Sequence, residues 1–149
     1  MSIKVRHIAV DFDGVITHYD GHYDPYKFGE PNESIRFLLT SLKKRGYKIV
    51  VFTCRTNGQW ENHDYEKIKE AIEEYLTLHD IPYDRVATQM DGKVFATAYI
   101  DDKAVHWQQN YDDLSYAKEQ LDRILSLPIT NLDTSSLETK KRIKALHEA

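Results

Sequence analysis

The segment Ile8-Ala9-Val10-Asp11-Phe12-Asp13-Gly14-Val15-Ile16-Thr17 decides the fold that this sequence predicts. Its apolar, β-branched start indicates a buried strand, and Gly14 marks where the chain must turn. Side chains two residues apart on a strand project to the same side, so Asp11 and Asp13 are expected to converge. Two carboxylates held together repel each other and lose hydration unless a cation or a proton compensates. A divalent metal with oxygen ligands, such as Mg²⁺, would compensate, whereas a solvated turn is the simpler alternative.

Length and composition are those of a globular protein. The 149 residues suffice for one domain with a real core, and 41% hydrophobic with 30% charged residues argue against wholesale disorder. The formal net charge of −4 provides no global basic field for a nucleic-acid backbone, although a local basic groove stays open. The single cysteine, Cys54, fits a reducing compartment. With no membrane-length apolar stretch and no signal-peptide core, we expect a cytoplasmic protein without membrane partners.

Strands and helices alternate along the sequence, which predicts a single Rossmann-like α/β domain. Its three layers would be a central, mainly parallel sheet with helices on both faces. The core is expected to span about residues 1–127, with a peripheral tail (128–149) that could serve in homo-oligomer assembly. The predicted strands are 4–10, 47–52, 85–87 and 96–100, and the predicted helices begin near 32, 63 and 112, with a short one in the tail.

Ligands of parallel sheets bind beyond the carboxyl ends of the strands. That rule gathers polar residues which are far apart in sequence: Asp11, Asp13, Thr53, Asp101 and Asp102, with Lys93 within reach from its loop. Carboxylates and Mg²⁺ handle a phosphate dianion, while a lysine and a hydroxyl meet its remaining oxygens. Two aspartates also permit a division of labour, in which one attacks phosphorus and the other delivers a proton to the leaving oxygen. The set therefore indicates phosphoryl transfer.

Four short motifs, in order, resemble those of the haloacid dehalogenase (HAD) superfamily of Mg²⁺-dependent phosphohydrolases. They are Asp11-Phe12-Asp13-Gly14-Val15, Val51-Phe52-Thr53, Lys93 and Tyr99-Ile100-Asp101-Asp102-Lys103-Ala104. The first and fourth motifs are fairly specific, whereas a lone threonine or lysine gains weight only from order and placement. The resemblance covers about the first four-fifths of the chain.

The resemblance implies a role for each matched residue. Asp11 would be the nucleophile and a metal ligand, and Asp13 the acid/base, with its backbone carbonyl also on the metal. Thr53 would hydrogen-bond the transferring phosphoryl group, and Lys93 would neutralise it. Asp101 would bind Mg²⁺ directly, and Asp102 would hold the waters of the metal or Lys93.

The resemblance implies a member without a cap domain, because both intervals that hold cap domains in this superfamily are too short here. Substrate selection would then fall to loops or to a partner subunit. The aromatic-rich connection 14–31 is either a binding loop or a surface loop that packs with its own rings. Within it, Gly14 and His18 are candidate substrate-binding residues, together with Arg55, two residues after Thr53.

Three functions stay open at this stage. The first is a phosphohydrolase of small phosphorylated metabolites, and the second is a phosphatase of nucleic-acid termini or nucleotides, against which the net charge leans. The third is a phospho-receiver signalling module, which also uses an acidic pair, Thr, Lys and Mg²⁺. In a receiver the phosphoacceptor ends a middle strand and the lysine comes last, so the order of motifs here favours the hydrolase.

Overall fold

A computed structural model describes residues 6–57, 64–107, 114–126 and 135–148. The chain divides into two compact units, Met1–Asp102 and Lys103–Ala149. The helices and strands, in chain order, are β1 (His7–Asp11), α1 (Glu33–Lys44), β2 (Lys48–Phe52), α2 (Tyr65–Leu78), β3 (Arg85–Val86), β4 (Ala98–Ile100), α3 (Leu114–Leu125) and α4 (Ser135–Glu148).

The four strands form one sheet in the order β3-β2-β1-β4, and all the pairings are parallel. The central strand β1 pairs with β2 on one side and with β4 on the other. Asp11, its last residue, lies opposite Phe52, while Val10 lies opposite Ile100. The predicted α/β fold, a parallel sheet flanked by helices, is confirmed. The carboxyl ends of β1, β2 and β4 therefore meet at one edge, which is where parallel sheets bind ligands.

Alternate residues of β1 face opposite sides of the sheet, as the pleat requires. Ile8, Val10 and Phe12 are buried in the main core, which also contains Leu39 of α1 and Ile68 of α2. Ala9 lies in a second, smaller core cluster on the other side. Asp11 follows this alternation at the strand end and belongs to the side opposite Phe12.

Polar side chains cap the N-termini of α1 and α2, close to where the sequence predicted these helices to begin. Asn32 is the N-cap of α1, and its side chain accepts a hydrogen bond from the backbone N–H of Ser34. Asp64 caps α2 in the same way, by accepting from Glu66 and Lys67. The predicted start of α3 near residue 112 lies outside the described residues. Strand β4 begins at Ala98 rather than residue 96, and the backbone N–H of Thr97, just before it, donates to the carbonyl of His7.

The second unit contains α3 and α4. Gln120 of α3 is buried, and its side-chain amide accepts from the backbone N–H of His106 and donates to the carbonyl of the same residue. This double hydrogen bond fixes the segment before α3 to the helix. Among the described residues, no helix combines the length and apolarity needed to cross a membrane.

Candidate active site

Three carboxylates meet at the carboxyl edge of the sheet. Asp11 ends β1, and Asp101 and Asp102 directly follow β4. One oxygen from each lies within 4.8 Å of the others, so the cluster could hold a metal ion. The parallel pairing of β1 with β4 causes this convergence, since the two strands end side by side. Asp11 and Asp101 are half-buried and Asp102 is exposed, which leaves the cluster open to solvent on one side.

The pKa of Asp11 is raised from 3.8 to about 8. The main cause is burial, which penalises the charged carboxylate. A hydrogen bond with the Asp102 side chain and the negative charges of Asp101 and Asp102 raise it further, while the backbone N–H of Phe12, 2.9 Å from Oδ1, lowers it. Without a cation the cluster thus retains a proton, which is the compensation that neighbouring carboxylates require.

This shift predicts how the stability of the metal-free protein depends on pH. The folded pKa of Asp11 lies above its unfolded value, so its favourable contribution is complete below pH 4 and is lost as the pH rises through about 8. The lowered pKa values of Asp84 and Asp91 act only at acid pH, and comparison with Asp11→Asn subtracts the other groups that titrate between pH 5 and 8. In EDTA, the free energy of unfolding of the wild type should fall across this window relative to Asp11→Asn, with a slope of up to about 1.4 kcal/mol per pH unit. If the unfolding free energies of the two proteins, measured by urea denaturation, changed with pH in parallel, the raised pKa of Asp11 would be contradicted.

Gly14 allows the close approach of the first turn to Asp102. Its φ is +83°, and a Cβ built there would lie 2.3 Å from Oδ2 of Asp102. A side chain at this position would therefore be strained in its backbone and would displace a carboxylate of the cluster. The sequence named Gly14 as a substrate-binding candidate, and the structure gives it this spacing role beside the cluster.

Gly14→Ala should weaken Mg²⁺ binding by at least about tenfold while the protein still folds, because the clash falls on the movable end of a side chain. Gly21→Ala is the matched control: its φ of +93° carries the same backbone strain, but nothing lies within 4 Å of the added Cβ. A Mg²⁺ titration followed by calorimetry or thermal shift compares the two. Equal weakening in both variants would show that strain, not the approach to Asp102, is responsible.

The Asp13 carboxylate has a different partner from that of Asp11. Oδ2 accepts from Nε of Arg55 at 2.7 Å, and Oδ1 accepts from Nη2 at 2.9 Å. The strand ends at Asp11 and the chain enters a turn, so Asp13 does not continue the alternation that predicted convergence of the two carboxylates. The Arg55 side chain is 2% exposed and that of Asp13 is 19% exposed. This is a buried, bidentate ion pair.

Arg55 also fixes the connection 18–30, which we call the aromatic loop. Its Nη1 donates to the backbone carbonyl of Asp24, and its guanidinium lies 4.9 Å from the ring centroids of both Tyr23 and Phe28. One side chain thus joins Asp13 to the loop. Since both its polar and its cation–π partners are arranged around a buried guanidinium, lysine could not replace it.

A cluster of three rings anchors the aromatic loop to the core. Phe12, Phe28 and Tyr75 pack edge to face with centroid distances of 5.1–5.5 Å. The Tyr75 hydroxyl donates to the carbonyl of Gly29 at 2.7 Å, and burial raises its pKa to about 12. The ends of the loop are tied together, because the backbone N–H of His18 donates to Glu30. The loop is therefore built into the fold, with Tyr75 as an anchor.

Arg55→Met should lower the free energy of unfolding by about 3 kcal/mol, because it leaves the Asp13 carboxylate partly buried without its cation. Limited proteolysis within the aromatic loop should accelerate at the same time. Arg36→Met removes an exposed pair with Glu33 and should cost under about 1 kcal/mol. Similar losses of unfolding free energy in both variants, measured by urea denaturation, would show that the ion pair of Arg55 with Asp13 stabilises the fold no more than an exposed pair does.

Thr53 lies at the same edge of the sheet as the carboxylates. Thr53 directly follows β2, and its hydroxyl accepts from the backbone N–H of Arg55 at 3.1 Å. Lys93 has its ammonium 5.5 Å from the ring centroid of Tyr99, in the strand that leads to Asp101. A cavity of about 410 Å³ is lined by Thr53 and by Gly92, the neighbour of Lys93. The structure thus brings the loops of Thr53 and Lys93 together around one cavity.

His18 lies apart from the carboxylate cluster. It is exposed and lines a second cavity, which the aromatic loop forms with Arg55. The backbone carbonyl of His18 would lie 1.8 Å from a Cβ built at Gly29, so the two ends of the aromatic loop are in close contact there.

Comparisons with known proteins identify no family. No family model matches the chain, and no curated protein matches it either. Solved structures of similar fold include a conserved protein from Bacteroides thetaiotaomicron (18% identity, TM-score 0.47, covering 83% of this chain and 93% of that one). An MCSG target from Vibrio cholerae is 25% identical with a TM-score of 0.48, covering 82% and 95%. A Pnkp1/Rnl/Hen1 complex is 19% identical with a TM-score of 0.42, covering 82% and 35%. None of these likenesses carries an argument about function.

Proposed function

We propose that the chain is a Mg²⁺-dependent phosphohydrolase of the HAD type that cleaves small phosphomonoesters. The observation that carries the proposal is the meeting of Asp11, Asp101 and Asp102, with one oxygen from each within 4.8 Å of the others. Carboxylate oxygens are the donors that Mg²⁺ prefers, and the retained proton on Asp11 indicates that the cluster needs a positive charge. Asp11, Asp101 and Asp102 would hold the ion, together with the backbone carbonyl of Asp13.

When bound, the ion would neutralise charge on the phosphoryl oxygens and lower the repulsion against an incoming carboxylate. Asp11 then attacks phosphorus through a carboxylate oxygen, and the bond from phosphorus to the ester oxygen breaks. The leaving oxygen takes the proton of Asp13 and departs as an alcohol. Water next attacks the phosphorus of the aspartyl-phosphate, Asp13 accepts its proton, and phosphate leaves with Asp11 regenerated.

Thr53 and Lys93 would contact the other phosphoryl oxygens. A hydroxyl that accepts one hydrogen bond can still donate its own proton, so the contact of Thr53 with Arg55 is compatible with this role. Lys93 is exposed, and its ammonium would reach the phosphoryl group from its loop. The ion pair of Asp13 with Arg55 must loosen for proton transfer, since both carboxylate oxygens are occupied in it.

The test is turnover of p-nitrophenyl phosphate with Mg²⁺, followed through many cycles per enzyme molecule. Release of many nitrophenol molecules per enzyme molecule supports the hydrolase. Labelling of one phosphoryl group per chain without further release would instead support the phospho-receiver alternative. Absence of both reactions would refute phosphoryl transfer at this site.

A further inference from the structure

The aromatic loop encloses a cavity of about 560 Å³, which we call the loop cavity. Pockets of this size hold small-molecule ligands in other proteins. The ring-bearing residues Tyr19, Tyr23 and Phe28 supply flat apolar faces, and Asp20, Asp24 and Glu30 supply carboxylates.

The loop cavity is joined to the candidate active site through a single guanidinium. Arg55 lines the cavity and at the same time holds Asp13, the proposed proton donor to the leaving oxygen. A group that leaves beside Asp13 therefore departs next to the cavity wall.

The charge of the lining disfavours an anion. Three carboxylates line the cavity, whereas Arg55 has its charge matched by Asp13, which leaves Lys27 and the imidazoles of His18 and His22 as the other basic groups of the lining. An anionic group would meet like charge there, which disfavours its binding. Hydroxyl groups, in contrast, can donate to carboxylates while the C–H faces of a ring lie on aromatic side chains.

We propose that the loop cavity receives the leaving group of the substrate, and that this group is neutral and hydroxyl-rich, of the sugar or polyol class. The inference rests on the proposed phosphohydrolase function and gives its substrate class. It argues against nucleic-acid termini, whose leaving groups carry further phosphates.

The experiment compares kcat/KM for p-nitrophenyl phosphate, a hexose 6-phosphate, the corresponding hexose 1,6-bisphosphate and a 5′-phosphorylated oligonucleotide. The wild type should prefer the hexose monophosphate over both polyanionic substrates by about tenfold or more. Glu30→Lys should bring the preference over the bisphosphate to near unity. Glu70→Lys, an exposed change of the same charge on α2, should leave the preference intact.

Equal or better use of the bisphosphate or the oligonucleotide would overturn the inference, as would a preference that Glu30→Lys does not move. Direct binding of the same compounds to the Asp11→Asn protein separates the two proposals. Selective binding of the hexose monophosphate with no turnover by the wild type would retain the loop cavity and refute the hydrolase. Turnover of p-nitrophenyl phosphate with no preference for the hexose monophosphate, in either binding or kinetics, would support the hydrolase and refute the role of the loop cavity.

Discussion

Asp11→Asn is expected to lower phosphatase turnover by about 10⁴-fold or more, the scale seen when a covalent nucleophile is removed. An amide oxygen is a poor nucleophile and cannot form the acyl phosphate, so the variant cannot form the covalent intermediate at residue 11. The folded state should persist, because the substitution is isosteric and removes a carboxylate that burial and two neighbouring carboxylates disfavour.

Asp80→Asn is the control for this chemical change. Asp80 is exposed and has a φ of 53°, a conformation that asparagine tolerates well. Its variant should keep wild-type turnover. Steady-state assays with circular dichroism on both variants provide the comparison, and retention of a tenth of wild-type turnover by folded Asp11→Asn would exclude Asp11 as the nucleophile.

Removal of the metal is expected to lower turnover by about 10³-fold or more, and added Mg²⁺ should restore it. In the metal-free state Asp11 retains a proton and the charges of Asp101 and Asp102 repel a phosphate dianion, so neither substrate binding nor attack by Asp11 is favourable. Asp101→Asn should raise the Mg²⁺ concentration needed for half-maximal turnover by about 100-fold, because it removes a charged ligand and leaves the fold intact.

EDTA titration of the wild type, followed by back-titration with Mg²⁺, measures the first effect, and the same titration on Asp101→Asn measures the second. Asp80→Asn should titrate like the wild type. Full turnover in excess EDTA would contradict the metal site, and an unchanged Mg²⁺ requirement in Asp101→Asn would remove that residue from it.

The sheet and its edge followed from the sequence because short-range patterns determine them. The apolar runs that form β1 and β2 were predicted, with residues 4 and 5 of the first outside the described part of the chain, and α1 was predicted to begin near residue 32, where Asn32 is its N-cap. The rule that ligands bind at the carboxyl ends of parallel strands then brought Asp11 together with Asp101 and Asp102, residues about ninety positions apart.

The contacts of Arg55 and the aromatic loop could not be predicted from the sequence. The pairing of Asp13 with Arg55 spans 42 positions and depends on where the turn after β1 directs the carboxylate. No periodicity or capping rule reports that direction. The choice between a binding loop and a self-packed loop also had no answer in the pattern, since Phe28 packs on the core while neighbouring residues line a cavity. The roles of Thr53 and Lys93 stay predictions.

The central claim, that Asp11 carries the phosphoryl group, is tested most directly by trapping the intermediate. The wild type is mixed with Mg²⁺ and a phosphomonoester, quenched in acid within milliseconds, reduced with borohydride and mapped by mass spectrometry. We predict modification of Asp11 in the quenched protein and none without Mg²⁺. Rapid turnover with no trapped species, or with the modification at another residue, would contradict the account.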